Sequence, residues 1–513
     1  MQELEAKFLT TAGGKPDEVL RRFQETLAWA GFRIQPRGRR TVTDIYYDSA
    51  DQSLRGAGWS YRCRRDEAGR RIGLKEINRA RAAIFDREEV EQPVGVAEDL
   101  RLPRPGPVQE RLSNLLHPDA GIAPLFTVEN RRAAYQLSHP DHPRGLVEMA
   151  FDAARIQARD RIEFTELELE LKDGPHEMLA GILAAVELEP AFIHARLSKY
   201  ERGLIAAGRE SRRPQKPVRV ERQSRWLDIG VTHLKRQLEQ LKLYEPYAWE
   251  GVHVEGVHQM RIATRKARAA LRSFAPVLPA DLANRVAPGL RWLARMLGAV
   301  RDLDVHLEHL DGYQARLESH EQAALGRYRG HLESLHGEAH LALIGALDDA
   351  AYDALIADYR ALLAGAVLPG NASSLRVADV AANSVVPLLE RVQERGRAID
   401  GGSPPEDLHR LRIDAKRLRY QLEFLHGAFD GALDRPLKTL RKLQDRLGAH
   451  QDACIARSHL SDYRRQYAAD KWERKIIKRL VDFERRRAKQ LRRRFDKDWK
   501  RFEDAVAGLD QLL

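Results

Sequence analysis

The chain has 513 residues, more than one hydrophobic core accommodates, so two or more domains are expected. Apolar residues make up 43% and charged residues 31%, and no uninterrupted apolar run approaches the roughly eighteen residues of a membrane-spanning helix. The net charge of +11 is uneven: 32 Lys and Arg face 34 Asp and Glu in residues 1–210, against 54 and 41 in residues 211–513, so the second half suits a polyanionic partner (nucleic acid, an anionic membrane surface or polyphosphate).

The N-terminus, Met-Gln-Glu-Leu-Glu-Ala-Lys-Phe, carries charges where a secretory signal would be apolar, and only two cysteines, Cys63 and Cys454, occur. No disulfide framework or thiolate metal site follows, and a cytoplasmic setting is expected. Charged and apolar residues then alternate over 2–9, 60–65, 71–77, 85–91, 146–156 and 163–172, the period-two signature of strands. Residues 16–30 read as a helix opened by Pro16 and stopped by Gly31, and residues 176–207 read as helical too. The polar run Arg209-Glu-Ser-Arg-Arg-Pro-Gln-Lys-Pro217 reads as a linker. From 223 onward the period becomes that of long helices, with Pro276, Pro279, Pro288, Pro404 and Pro405 between segments and no strand.

Residues two apart on a strand share a face. Glu3, Glu5 and Lys7 therefore point one way, and Leu4, Ala6 and Phe8 the other. Glu166, Glu168 and Glu170 stand opposite Leu167, Leu169 and Leu171; Glu148 and Asp152 stand opposite Val147, Met149 and Phe151. Arg62 and Arg64 share a face, Lys75 follows on the next segment, Arg87 on the one after, and Arg131 or Arg132 adds to the set. One such strand alone is ordinarily the solvent side of a half-buried sheet. Here the carboxylates gather at both ends of the region and the bases in its middle. If the sheet closes into a barrel, these faces converge on one lumen, where unpaired like charges are too costly to leave without ligands. Carboxylates favour a hard cation such as Mg²⁺, and Arg and Lys favour phosphate, so a metal–polyphosphate complex satisfies both.

The order Glu3-x-Glu5-x-Lys7, Tyr46-Tyr47-Asp48-Ser49, Leu54-Arg55, Tyr61-Arg62-Cys63-Arg64, Leu74-Lys75, Arg87-Glu88-Glu89 and Glu166-Leu-Glu168-Leu-Glu170 resembles the CYTH family, the triphosphate tunnel metalloenzymes, over roughly residues 1–205. The resemblance implies an eight-stranded tunnel that hydrolyses triphosphates with Mg²⁺ or Mn²⁺. Carried over by position, Glu3, Glu5, Asp152, Glu166, Glu168 and Glu170 supply the metal ligands, two of the last three sufficing. Lys7, Arg62, Arg64, Lys75, Arg87 and Arg131 or Arg132 hold phosphates, and Glu3, Glu5, Lys7, Arg62, Arg64 and Lys75 form the catalytic set. Lys199, on the helix that resembles the family's C-terminal plug, is a further substrate-binding candidate that reaches the tunnel.

The second half repeats itself. Val257-His-Gln-Met-Arg-Ile-Ala-Thr-Arg-Lys-Ala-Arg268 matches Leu408-His-Arg-Leu-Arg-Ile-Asp-Ala-Lys-Arg-Leu-Arg419 at an offset of 151, and Leu297-Gly-Ala-Val-Arg-Asp-Leu-Asp304 matches Leu447-Gly-Ala-His-Gln-Asp-Ala-Cys454 at 150, which argues for duplicated helical bundles. His258, Arg261, Arg265, Arg268 and Arg272 occupy a heptad stripe that is ordinarily apolar. The second copy sets His409, Arg412, Lys416 and Arg419 at the same spacing before departing with Glu423, and Lys266 and Arg417 flank the two stripes. The core is expected from Ile262, Ala269, Leu271, Ile413, Leu418 and Leu422 on other faces. A solvated face is the plainer reading of either helix alone; bases at one-turn intervals on both suit a chain of phosphates. The histidines read as phosphate contacts or helix-end structure.

This pattern resembles the CHAD domain, a helical module associated with polyphosphate, over roughly 223–513. Arg291, Arg295, Arg441 and Lys442 are further candidate contacts, and the dense run from Arg485 to Arg494 reads as a solvated helix face.

The expected architecture is thus an α+β domain with an eight-stranded antiparallel β-barrel tunnel over 1–205, a linker over 206–222, and an all-α domain over 223–513 with halves at about 223–370 and 375–513. The expected activity is metal-dependent hydrolysis of inorganic triphosphate, with polyphosphate bound by the helices, in the cytoplasm or at polyphosphate granules. An organic triphosphate hydrolase or adenylate cyclase of the same family is the alternative within the class. A non-catalytic polyphosphate-binding or nucleic-acid-binding protein is the alternative outside it. The intact Glu3-x-Glu5-x-Lys7 and basic stripes without interleaved aromatics weigh against both outside readings.

Overall fold

A computed structural model describes residues 2–10, 15–77, 84–95, 98, 100, 103–117, 120–210, 218–314, 316–366 and 374–513. The chain divides into two compact units, Met1–Gln215 with Tyr244–Val257, and Lys216–Leu243 with His258–Leu513. The stretch from 244 to 257, expected in the helical domain, thus belongs with the first unit. Among the described residues no helix is long and apolar enough to cross a membrane.

The first unit runs β1 (Gln2–Thr10), α1 (Pro16–Trp29), β2 (Arg33–Ser49), α2 (Ser53–Gly56), β3 (Trp59–Asp66), β4 (Gly69–Glu76), β5 (Ile84–Pro93), α3 (Pro107–Leu115), β6 (Ile122–His139), β7 (His142–Gln157), β8 (Arg161–Asp173), α4 (His176–Glu187), β9 (Phe192–His194) and α5 (Lys199–Ala206). The sheet order is β5-β4-β3-β2-β6-β7-β8-β1-β9, and β1 also pairs with β5. That extra pairing closes eight antiparallel strands into a barrel, and β9 adds to the end of β1 through Phe8–Thr10. Closure removes the sheet edges and forces alternate side chains of every strand into one lumen.

The outward faces carry the hydrophobic cores. Ala6, Phe8, Val147, Met149, Phe151, Leu167 and Leu169 pack beneath α1 and α4 through Val19, Phe23, Leu27, Met178 and Ile182. Tyr61, Cys63, Ile72 and Leu74 pack with Val108 and Leu112 of α3. The apolar partners of the alternating segments therefore lie outside the barrel and beneath helices, which commits the charged partners to its interior.

Three expectations differ. The segments β2 and β6 showed no clean alternation, yet they form the longest antiparallel pair, from Arg33↔Ser138 to Ser49↔Ile122. The first half of β2, Arg-Ile-Gln-Pro-Arg-Gly-Arg-Arg, is mostly exposed and so leaves no period of two. The helix expected over 176–207 is two helices split by β9, because Pro190 cannot continue a helix and Phe192 is buried beside Phe23. Within the expected linker 206–222, Ala206 still ends α5, and residues 211–217 lie outside the described residues.

The helices that follow are α6 (Trp226–Glu250), α7 (Val254–Ser273), α8 (Ala280–Gln314), α9 (Gln322–Asp348), α10 (Ala350–Ala366), α11 (Val377–Arg397), α12 (Pro405–Leu425), α13 (Asp434–Gln466), α14 (Lys471–Arg493), α15 (Phe495–Val506) and α16 (Leu509–Leu512). The five helices α6–α10 recur as α11–α15, with α6 and α11 starting at Trp226 and Val377 and α7 and α12 at Val254 and Pro405, the offset of the repeated motif. Pro288, expected between segments, lies inside α8. Ala269, Leu271, Leu418 and Leu422 are buried as expected, Ile262 is half-buried, and Ile413 is exposed at 39% because it sits on the outer side of α12.

Candidate active site and basic helical face

Cross-strand register assembles the lumen. Lys7 lies opposite Glu168, Asp152 opposite Glu166, Arg132 opposite Asp152, Arg64 opposite Asp44, and Lys75 opposite Glu89. Opposed residues on neighbouring strands touch, so acids meet bases in each of these pairs except Asp152 and Glu166, where two acids face each other.

At one end Asp152, Glu166 and Glu168 offer carboxylate oxygens within 4.8 Å of one another. The ammonium of Lys199, from α5, is held among them: 2.9 Å from Asp152 Oδ2, 2.7 Å from Glu168 Oε1, and hydrogen-bonded to Glu166. Arg132 grips Asp152 with two bonds of 2.8 Å and also reaches Glu168. Lys7 bridges Glu168 at 2.5 Å and Glu5 at 3.1 Å. Glu5 in turn is met by Lys75 at 3.2 Å and by Arg87. Farther round, Arg64 clasps Asp44 with two bonds of 2.8 Å, and Arg62 meets Glu89 at 2.5 Å and Glu91 at 3.0 Å.

Burial and partners oppose each other here, and the partners win. Burial raises the carboxyl of Glu5, but Lys7, Lys75 and Arg87 hold it well below the usual range. Glu168 is depressed against burial by Lys199, Lys7 and Arg132, and Asp152 against burial by Lys199 and Arg132. Lys199 stays protonated because its three carboxylates outweigh its burial. These groups are all charged at neutral pH. The sequence led us to expect ligands to satisfy the lumen charges; in the structure acids and bases satisfy one another across it. Arg62 Nε and Asn130 Oδ1 are buried without a hydrogen-bond partner among the described residues.

The side chain of Glu3 lies outside the described residues, though its backbone pairs with Arg87. Of the two arginine alternatives, Arg132 turns inward; Arg131 is 71% exposed on the outer face and does not reach the lumen. Strand parity is the reason: Arg132 shares its face with buried Asn130, and Arg131 must point the other way. Glu170 stands apart from the triad and pairs with Lys172 on its own strand. Sequence reasoning missed Asp44, Glu89, Asn130 and Arg202 as lumen or support residues. Arg202 follows Lys199 by three positions, one helical turn, and that spacing could have exposed it.

The helix carrying Lys199 is held firmly. Ser198 and Glu201 form a capping box, and seven of the eight residues of α5 are buried. The Tyr46–Ser49 motif supports it from below. Asp48 accepts backbone N–H groups of Ser49, Leu54 and Arg55 at 2.8 to 3.1 Å, and Arg55 donates to the carbonyls of Arg209 and Glu210 at 2.6 Å just past α5.

In the second unit, Arg261 and Arg265 of α7 and Arg412, Lys416 and Arg419 of α12 crowd one region. Burial, then Arg412, Arg265, Arg261 and Arg419, push the ammonium of Lys416 down to about 7. Burial chiefly, with Arg265 adding, also depresses Arg412, while Asp452 and Asp302 oppose. Nε of Arg265, Arg412 and Arg419 and Nδ1 of His409 are buried without a partner among the described residues. Arg272 lies near Arg417, and Arg268 near Arg291 and Arg295, at the margins of this region. Lys266 is exposed, Arg441 pairs with Glu423 at 3.3 Å, and Lys442 is exposed. His258 sits half-buried on the first turns of α7.

Residues 1–204 match the CYTH domain family and residues 232–461 the CHAD domain family. Uncharacterized proteins of two Mycobacterium tuberculosis strains are 28% identical over 314 residues, and the match spans 58% of this chain and only 56% of those relatives. A solved CHAD domain from the plant Ricinus communis is similar at 23% identity and a TM-score of 0.43, covering 57% of this chain and 97% of its own. A candidate adenylyl cyclase from Hippeastrum, described as having a dominant triphosphatase activity, is similar at 14% identity and a TM-score of 0.29, covering 40% of this chain and 96% of its own.

Proposed function

Residues 1–204 are a CYTH domain and residues 232–461 a CHAD domain, and on that premise we propose that the chain is a metal-dependent inorganic triphosphatase whose helical unit binds inorganic polyphosphate. The reaction is hydrolysis of triphosphate to diphosphate and phosphate. The observation that carries it is one closed lumen holding the Asp152–Glu166–Glu168 triad beside a row of Arg and Lys.

The triad fits a divalent cation. Its oxygens already converge on one cationic group, the Lys199 ammonium, and an all-carboxylate set suits Mg²⁺ or Mn²⁺. Asp152, Glu166 and Glu168 would hold it, with Glu5 and Glu3 added by their place on β1. Such a cation, when bound, neutralises phosphate oxygens and lowers the pKa of a coordinated water. The chain's own part is to bind and orient. Lys7, Arg62, Arg64, Lys75, Arg87 and Arg132 offer charged donors to phosphate oxygens, and the Nε of Arg62 lacks a partner among the described residues. Donors fixed in place by their carboxylates need little reorganisation when charge builds on the leaving phosphate.

A phosphate-release assay over triphosphate, long polyphosphate, ATP and thiamine triphosphate, with and without Mg²⁺ or Mn²⁺, tests this. Triphosphate is expected to be the fastest substrate and the rate to vanish without metal. Faster turnover of ATP, or a cyclic nucleotide product, would replace the reading with an organic-triphosphate one. Glu5→Ala is expected to lose metal-dependent turnover while keeping its circular dichroism spectrum.

For the helical unit, the support is the set of buried guanidinium and imidazole nitrogens without partners on α7 and α12 among the described residues. Buried donors of this kind are costly unless an anion meets them. Competition binding is the test: RNA that displaces labelled polyphosphate at moderate salt would turn the reading toward nucleic acid.

A further inference from the structure

Behind the triad, Arg202 and Glu250 form a buried pair that the phosphate chemistry does not use. Arg202 Nη1 donates to Glu166 Oε1 at 2.6 Å. Its other side is clasped by Glu250, Nε to Oε2 at 2.7 Å and Nη2 to Oε1 at 3.0 Å. Glu250 Oε1 also accepts the backbone N–H groups of Arg196 and Leu197, at 2.7 and 2.8 Å, on the approach to α5. Both side chains are 1% exposed, and the Arg202 guanidinium lies over the Phe164 ring at 4.6 Å. Glu250 stands well past residue 204, where the CYTH match ends, within the stretch Tyr244–Val257 that belongs to the barrel unit.

We propose that Glu250 is a positioning residue for the metal centre: by taking up the charge of Arg202 it keeps Glu166 oriented and negative enough to ligate a divalent cation. This rests on the metal-dependent reading above. The charge balance makes the case. Lys199 and Arg132 already pair with the triad, so Arg202 alone beside Glu166 would offset the negative charge that remains, and a guanidinium with no other carboxylate would turn its whole fork onto Glu166. With Glu250 on the two-bond side, Arg202 spends a single hydrogen bond on Glu166 and the pair is neutral. Partners of this kind, one step removed from the ion, orient its ligands and set its affinity.

The test is Mn²⁺ binding to the full chain, read by electron paramagnetic resonance of free Mn²⁺ with no substrate present. Wild type is expected to bind, and Asp152→Asn to lose that binding. Glu250→Gln, which keeps shape and a hydrogen-bond acceptor, is expected to weaken Mn²⁺ by about tenfold or more. The double variant Arg202→Gln/Glu250→Gln removes both charges and is expected to return to wild-type affinity or better. Wild-type affinity in the Glu250→Gln variant would overturn the proposal. So would a double variant that binds as weakly as the single one, since that marks the pair as scaffolding alone. A wild-type chain that binds no Mn²⁺ would overturn the metal-dependent reading, and this proposal with it.

Discussion

Arg131 and Arg132 are adjacent, identical in chemistry, and opposite in consequence. Strand parity places Arg132 between Asp152 and Glu168 and leaves Arg131 in solvent. Arg132→Ala is therefore expected to cut triphosphate turnover by about a hundredfold or more, the scale of losing one fixed donor to a developing charge. Arg131→Ala is expected to stay within about twofold, as exposed substitutions do. Steady-state rates of the two variants, side by side, check both. Residues of this sort were half legible in the sequence. Alternation gave each strand's inward set, as with Glu5, Lys7, Glu166 and Glu168. It could not say which residue faces which, since register belongs to pairs of strands; Asp44 and Glu89 stayed hidden until Arg64 and Lys75 were found opposite them.

Lys416 supports a pH prediction at the same scale. Its folded ammonium titrates at about 7, lowered from 10.5 by burial and by Arg412, Arg265, Arg261 and Arg419. The unfolded chain holds this proton between those two pH values and the folded chain does not. Stability attributable to Lys416 therefore rises as pH rises from about 7 toward 10.5, and the penalty is full below 7. A polyanion reverses the preference, because it favours the charged form. Polyphosphate affinity is expected to tighten as pH falls through about 7, and Lys416→Met is expected to flatten that dependence. Titration calorimetry at several pH values reads it, and an unchanged slope in the variant would refute it.

Among the elements that carry the lumen charges, α5 is closely packed. A Cβ added at Gly203 would stand 2.0 Å from Cε2 of Phe126, whose ring packs against Tyr46 and Tyr200. Gly203→Ala must push either the ring or the helix, and overpacking of this kind costs about 1–3 kcal/mol. A lowered melting temperature is expected, with a loss of turnover larger than that destabilisation explains, because α5 carries Lys199 and Arg202. If the melting temperature falls and turnover of the folded fraction is untouched, α5 is only a lid. The sequence marked α5 poorly. It merged with α4 into one expected helix because both are rich in good helix formers, and only Pro190 hinted at the break. The helical half was easier to read, since the repeated His-x-x-Arg motif carries its own internal control. Pro288 and Ile413 misled, the first because α8 runs through it, the second because an apolar residue need not face the core.

At the scale of the molecule, the two basic regions differ in how their charge is balanced. In the barrel nearly every base is matched by a buried or half-buried carboxylate: Lys7 by Glu5 and Glu168, Arg132 by Asp152, Arg64 by Asp44, Lys75 by Glu89. An anion entering that lumen would meet acids as well as bases, so on the proposed reading a cation held by the carboxylates would offset the negative charge it meets. On α7 and α12 the bases outnumber their acids; Asp302 and Asp452 are the carboxylates that act on Arg412, against Arg261, Arg265, Lys416 and Arg419 nearby. On the proposed reading a polyanion there would need no metal and would instead displace small counterions. Chelation and salt should consequently separate the two. Excess EDTA is expected to abolish triphosphate hydrolysis and to leave long-polyphosphate binding by the full chain within about twofold, whereas raising salt is expected to weaken that binding steeply, with a log–log slope that grows with each phosphate neutralised. Replacing Arg265, Arg412 and Arg419 together by Gln should reduce that slope by about three, on the rule of nearly one counterion per contact, with metal-dependent turnover of triphosphate unchanged. Loss of polyphosphate binding on chelation would mean that metal, rather than the bare guanidinium nitrogens, holds the polyanion on the helices.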